Sequence, residues 1–238
     1  MTPRPIFHSS GGRALRGPVW APNGRSIAVA AKVGAGFQVL QLSPTGRIVR
    51  RLVGRDFAFT REGALVFQRG DRLLVLEGGR IRRLASKAEL AAAAGFPASF
   101  WGGLRGAQGY GRGGVAIQWW GERRSVLLLV SRRGVVSPAT PVFRAGAYMP
   151  GYASWSPDGR VLLIPWQRVG HIHCLARWTA LRGYRSIFCR NPHFDTIVWH
   201  PDGGTAILDD SRIVGRDGGV RARVGKLGRA LGVRWLSG

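Results

Sequence analysis

This chain is poor in long apolar runs, in acidic residues and in lysine. No stretch of about 18 apolar residues occurs in it, which excludes a membrane-spanning helix. Residues 1–16 are basic but have no apolar core, so they do not read as a signal peptide. The expected location is the cytoplasm, or an exported state from which a signal has been removed. Asp and Glu number 12 against 36 Lys and Arg, a formal net charge of +24 at neutral pH. Only Lys32, Lys87 and Lys226 are lysine. Abundant Arg, Gly and Ala with so little Lys fit a GC-rich coding bias, and the arginines are dispersed rather than gathered in one tail. A charge of this size nonetheless attracts polyanions such as nucleic acid or an anionic surface.

Catalytic signatures are missing as well. There is no Gly-x-Ser-x-Gly elbow and no His-Glu-x-x-His, so the common hydrolase sites are unsupported. Residues 102–114 are Gly-rich but lack Gly-Lys-Ser/Thr, which argues against a phosphate loop. Asp209-Asp210 is the only adjacent acidic pair, and a hairpin turn accounts for it, as for Arg69-Gly70-Asp71. These absences favour a non-catalytic module over an enzyme. They call for no cofactor and no resident metal.

What is present is a repeat. Trp20-Ala21-Pro22-Asn23-Gly24-Arg25 recurs as Trp155-Ser156-Pro157-Asp158-Gly159-Arg160 and as Trp199-His200-Pro201-Asp202-Gly203-Gly204. Pro presets φ for a turn, Asx bonds its own backbone, and Gly takes the positive-φ position. Apolar runs follow at 26–31, 161–166 and 205–208. The aromatic before each turn is expected to close the first strand and pack between neighbouring units. Phe59 begins a degenerate copy, and Trp101 and Trp235 close β-prone runs at 98–101 and 231–235. Each interval also holds a second strand pair, as in 72–77 followed by Gly79-Arg80-Ile81-Arg82-Arg83-Leu84. Four short strands per unit of about 40 residues are the blade of a β-propeller.

A strand ending in an aromatic, then Ser-Pro-Asp-Gly-Arg, an apolar strand, a turn glycine and Arg-Arg-Leu resembles the TolB-type β-propeller repeat. The resemblance runs from about residue 20 to 235 and lacks the Gly-His and Trp-Asp pairs of WD repeats. It implies an all-β fold of four-stranded antiparallel blades. Five blades are expected, with six as the alternative if 5–9 and 231–235 share a closing blade. The whole chain, 1–238, reads as one propeller domain. Because propellers host many activities, the resemblance leaves function open.

Function must lie in what departs from the repeat. Ser86 and Glu89 form a capping box before Ala91–Ala94, with Gly95 placed to end a helix over 86–94. His171, His173, Cys174, Cys189, His193 and His200 gather in the fourth unit. If the hairpin there centres between Leu181 and Arg182, Cys174 and Cys189 are partners within disulfide reach. A bridge, two reduced thiols packed together and a metal site are the alternatives. His171 and His173 point away from Cys174, so a metal site would need a bulge. Loops joining strand four to the next strand one, and strand two to strand three, share one end of each blade. The binding candidates there are Arg55, Asp56, Trp120, Arg123, Tyr148, Tyr152, Arg168 and His171. The expected role is binding a protein partner through these loops around a central channel. The alternatives are polyanion binding through the Arg-rich surface and a small-ligand or carbohydrate site with hydrolytic activity.

Overall fold

The computed structural model describes residues 15–96, 103–110, 114–121, 124–143, 153–168, 172–190, 194, 197–208 and 212–223. They form five four-stranded antiparallel sheets, each from one continuous stretch of chain. The first sheet holds β1 (Leu15–Trp20), β2 (Ile27–Val33), β3 (Gly36–Leu42) and β4 (Ile48–Val53). The second holds β5 (Arg55–Phe59), β6 (Leu65–Arg69), β7 (Arg72–Glu77) and β8 (Arg80–Ser86), followed by helix α1 (Lys87–Ala93). The third holds β9 (Gly103–Tyr110), β10 (Gly114–Gly121), β11 (Arg124–Val130) and β12 (Val136–Pro138). The fourth holds β13 (Ser154–Trp155), β14 (Val161–Arg168), β15 (Ile172–Thr179) and β16 (Gly183–Arg190). The fifth holds β17 (Ile197–Trp199), β18 (Thr205–Leu208), β19 (Arg212–Gly215) and β20 (Val220–Arg223).

The repeated turn is built as its residues dictate. Gly24, Gly159 and Gly203 have φ of +67°, +67° and +72°, and each donates its N–H to the carbonyl three residues back. The Asx side chain closes the turn: Asn23, Asp158 and Asp202 each accept, through Oδ1, the N–H two residues on. This local chemistry ends one strand and starts the next without help from the core.

Chain contacts divide the protein into two compact units. One comprises Met1–Ala98, Leu104–Ile117 and Leu129–Val136; the other comprises Ser99–Gly103, Gln118–Leu128 and Ser137–Gly238. In the first unit Ala21, Ala28, Val39 and Leu52 pack with Phe59, Leu65, Phe67, Leu74 and Leu76, joining the first sheet to the second. In the other, Val161, Leu163 and Leu175 pack with Phe194, Ile197, Trp199, Ala206, Leu208 and Val214, joining the fourth sheet to the fifth. Fully burying a Leu or Phe contributes about 1.5–3 kcal/mol, so each inter-sheet seam contributes several such increments. Turn ends also meet at the seams. A Cβ on Gly134 would collide with the Leu84 carbonyl of the preceding sheet, and one on Gly218 would lie 2.8 Å from Ile187 Cγ1.

Two expectations are corrected. The first strand of the third sheet is not 98–101. It is Gly103–Tyr110, inside the stretch read as a Gly-rich loop, and it pairs with β10. Pairing to a strong neighbouring strand overrides the low strand propensity of its three glycines. Tyr110, not Trp101, therefore ends that strand. Trp101, Trp235 and the terminal runs 5–9 and 231–235 lie outside the described residues. The second correction concerns the anchors. Trp199 is 8% exposed, and its Nε1–H donates to the Ser154 carbonyl of the preceding sheet at 3.0 Å. Trp20 is 51% exposed. Phe59 and Trp199 pack against the preceding sheet, and among the described residues none precedes β1.

Candidate interaction surface

The connections from strand four to strand one, and from strand two to strand three, leave each sheet at the same end. In the second sheet this end is the most elaborated. Gly54, between β4 and β5, donates its N–H to the Phe37 carbonyl at 3.0 Å. A Cβ there would strike the Gln68 carbonyl, so only glycine lets the chain enter β5 this close to β6. The register then slips. Arg55 faces Gln68 and Phe57 faces Phe67, which leaves Asp56 as the extra residue of a bulge. Asp56 has φ +43° and is the one non-glycine with positive φ among the described residues. Asp tolerates this region better than most residues, and a bulge re-aims the side chains beside it. Arg55 Nε lies 3.8 Å from Asp56 Oδ2.

Opposite Arg55, Gln68 is buried. Its Nε2–H donates to the Gly70 carbonyl at 3.0 Å, which assigns the amide orientation. Its Oε1 is buried with no hydrogen-bond partner among the described residues. The turn Arg69-Gly70-Asp71-Arg72 adds two exposed arginines and an exposed carboxylate. Helix α1 is tied to that turn by the Lys87 N–H, which donates to the Asp71 carbonyl at 2.8 Å. The capping box forms as its residues suggest: Glu89 N–H donates to Ser86 Oγ at 3.2 Å, and Ser86 N–H to Glu89 Oε2 at 2.5 Å. The hydrogen bonds from Ser86, with Arg83 at 3.3 Å, hold the Glu89 carboxyl below the usual range. The result is a rigid, mixed-charge edge that offers donors and acceptors from adjacent loops.

Arg55 and Asp56 are thus adjacent on this edge. Arg168 is exposed at the end of β14, opposite Ile172, and Trp120 lies near the end of β10. Arg123, Tyr148, Tyr152 and His171 lie outside the described residues. Gln68, Arg69, Asp71 and Arg72 were not among the binding candidates; the sequence offered Arg69-Gly70-Asp71 only as a hairpin turn. The Arg-Gly-Asp turn was visible there, but the bulge that brings Asp56 beside it depends on register between strands.

In the other unit the strand pair β15–β16 carries both cysteines. Thr179 pairs with Gly183, so the hairpin turns on Leu181. A bulge at Ile187 then adds one residue, and Cys174 faces Cys189. The two are joined as a disulfide with Cα atoms 3.9 Å apart. Trp166 is the neighbour of Cys174 on β14 and stacks on Phe143 at 5.1 Å. Tyr184 meets Phe143 edge-on, and burial pushes its hydroxyl up to about 12. His173 is buried, with Nδ1 3.3 Å from the Phe194 carbonyl. His200 Nδ1 lies 2.9 Å from Asp202 Oδ1. Among the described residues no group of three His, Cys, Asp or Glu could hold a metal ion; His193, like His171, lies outside them. A further residue missed in the sequence is Arg212. It is 2% exposed with its guanidinium 5.3 Å from the Phe188 ring centroid, a cation–π contact.

Three solved structures resemble this fold. TolB from Acinetobacter baumannii superposes with a TM-score of 0.54 at 13% identity, over 87% of this chain and 53% of its own. The fold is that of a TolB-type β-propeller. A structure from a study of two prolyl endopeptidases gives a TM-score of 0.60 at 10% identity, over 92% of this chain and 36% of its own. The eukaryotic initiation factor gives 0.53 at 14%, over 87% of this chain and 54% of its own. This TolB-type propeller therefore spans about half or less of each structure it resembles. No family model matches the sequence, and no curated protein does. Among the described residues no helix is long and apolar enough to cross a membrane.

Proposed function

We propose that this propeller is a non-catalytic interaction module that binds a protein partner through the end of its sheets carrying the four-to-one and two-to-three connections. In this reading residues 1–238 are one domain. Arg55, Asp56, Arg69, Asp71 and Arg72 of the second sheet form the core of the contact. Trp120, Arg123, Tyr148, Tyr152, Arg168 and His171 belong to the corresponding connections of later sheets. The observation that carries the reading is the bulge at Asp56. Non-glycine residues held at positive φ concentrate at ligand clamps and binding sites, and this one sits beside an exposed arginine and a buried glutamine with a spare acceptor. The extensive loop chemistry at this edge adds to it, because function on a rigid β scaffold collects on loops.

The test is site-specific photocrosslinking in the source cell. A crosslinker replacing Arg69 is expected to capture one discrete protein, and Asp56→Asn, which keeps a residue that tolerates positive φ, should abolish the capture while leaving the thermal midpoint nearly unchanged. A crosslinker replacing Arg25, on the turn at the opposite end of the first sheet, should capture nothing. Equal capture at both positions, or capture indifferent to Asp56, would count against this surface.

A further inference from the structure

We infer that the turn ends and outer strands of the first three sheets form a second binding surface, one that takes the phosphate backbone of duplex nucleic acid without regard to sequence. Three consecutive strand-three-to-strand-four hairpins meet there. Arg50 Nη1 on β4 reaches the Gly79 carbonyl in the β7–β8 turn at 3.5 Å. Arg132 in the β11–β12 turn pairs with Glu77 on β7, which also lies 3.7 Å from Arg82 Nη2. Gly134 of the same turn sits against the Leu84 carbonyl of β8. All of these residues belong to one compact unit, so the surface is continuous.

Its charge is one-sided. Glu77 is the only carboxylate in these three hairpins, and Arg82 and Arg132 already share it. Arg47, Arg51, Arg80 and Arg133 are exposed. No carboxylate among the described residues lies within 4.0 Å of these four or of Arg50. The β13–β14, β17–β18 and β19–β20 turns contrast with this. There Asp158 takes Arg160 and Arg216, Asp217 takes Arg221, and Asp202 pairs with His200. Arg177, Arg182, Arg185 and Arg223 also have no carboxylate within 4.0 Å among the described residues, so what distinguishes this patch is that its free arginines span three hairpins in contact with one another.

The chemistry of the patch selects the occupant. Arginine presents a planar fork of donors that fits phosphate in bidentate fashion. Repetition across three hairpins suits an extended chain of evenly spaced charges. The exposed apolar residues interleaved here are Val49, Val53, Ile81 and Val135, with no Trp, Tyr or Phe among them. Single-stranded binding relies on aromatic stacking, protein interfaces on aromatic anchors, and membrane-surface binding on larger apolar wedges. Backbone contact with a duplex needs none of these.

The test is fluorescence anisotropy with a labelled 20-base-pair duplex over a range of KCl concentrations. The wild-type protein is expected to bind, with the logarithm of affinity falling linearly with the logarithm of salt. The variant R47Q/R80Q/R133Q should lose at least tenfold in affinity at low salt, with a slope shallower by about 0.9 for each phosphate contact removed. R182Q/R185Q/R223Q removes the same charge from the other unit and should change affinity less than threefold. Equal losses in both variants would reduce the effect to net charge and overturn the site, as would a wild-type protein that does not bind. Binding of polyglutamate or of phosphatidylserine vesicles as tightly as duplex, with the same loss in R47Q/R80Q/R133Q, would overturn the choice of nucleic acid. Should the triple variant unfold, hydroxyl-radical footprinting of the wild-type complex gives the same decision. Protection must fall on the β3–β4, β7–β8 and β11–β12 hairpins, and protection elsewhere refutes the site.

Discussion

Asp158 shows how much one carboxylate does in a chain with few of them. Burial pushes its pKa upward. Hydrogen bonds from the Ser156 hydroxyl, the Arg216 guanidinium and the Arg160 N–H outweigh that and hold it at about 2. Arg216 belongs to the β19–β20 turn, so a residue of the fourth sheet's turn also clasps the fifth. The folded pKa lies below the ordinary Asp value of about 3.9. The stabilisation is therefore fully present above about pH 4 and is lost as pH falls from about 4 towards 2. Asp158→Ala is expected to cost about 1 kcal/mol at pH 7, a modest figure because both partners are partly exposed. In urea titrations at a series of pH values the gap between wild type and variant should close below pH 4. A gap that is undiminished at pH 2.5 would mean that the carboxylate charge is not the stabilising feature.

At the scale of the element, the β15–β16 hairpin is where sequence and structure agree by a route the sequence does not display. A symmetric hairpin centred between Leu181 and Arg182 pairs Cys174 with Cys189. The actual turn is centred on Leu181, and the bulge at Ile187 restores the same pairing. The repeated turns were legible because Pro, Asx and Gly act through their own backbones. Strand β9 was not, because a Gly-rich strand exists only by virtue of the neighbour it pairs with. Asp56 was named as a loop residue from its position, but its positive φ follows from a register between β5 and β6 that no local pattern encodes. Arg212 gave no sign of burial, since its aromatic partner lies on another sheet. The disulfide is expected to stabilise this hairpin by up to about 3 kcal/mol, the chain-entropy value for a loop of some 15 residues. Urea unfolding with and without reductant measures it, and the unreduced, unfolded chain should show no titratable thiol. Two free thiols in that state would contradict the bridge.

At the scale of the molecule, the formal charge of +24 works against compactness, because unscreened arginines repel one another in the folded state. Raising ionic strength from 10 to 300 mM, as an order-of-magnitude range, shortens the screening length from about 30 Å to below 10 Å. The thermal midpoint is expected to rise over that range with a non-binding salt such as KCl. A midpoint that falls would mean that the Asp and Glu pairs stabilise more than the arginine excess destabilises. The same repulsion discourages the outer strands of two copies from pairing edge to edge.

Each sheet is made from four strands that follow one another directly in the chain, and this has a consequence in time. Hydrogen-bonded partners are rarely more than about 20 residues apart, so closing each hairpin costs little loop entropy. A nascent chain can complete one sheet before the next has left the ribosome. The inter-sheet seams, such as Phe59 against Ala21 and Trp199 against Ser154, are then laid down in order of synthesis. Each finished sheet waits with one apolar face open only until its successor emerges.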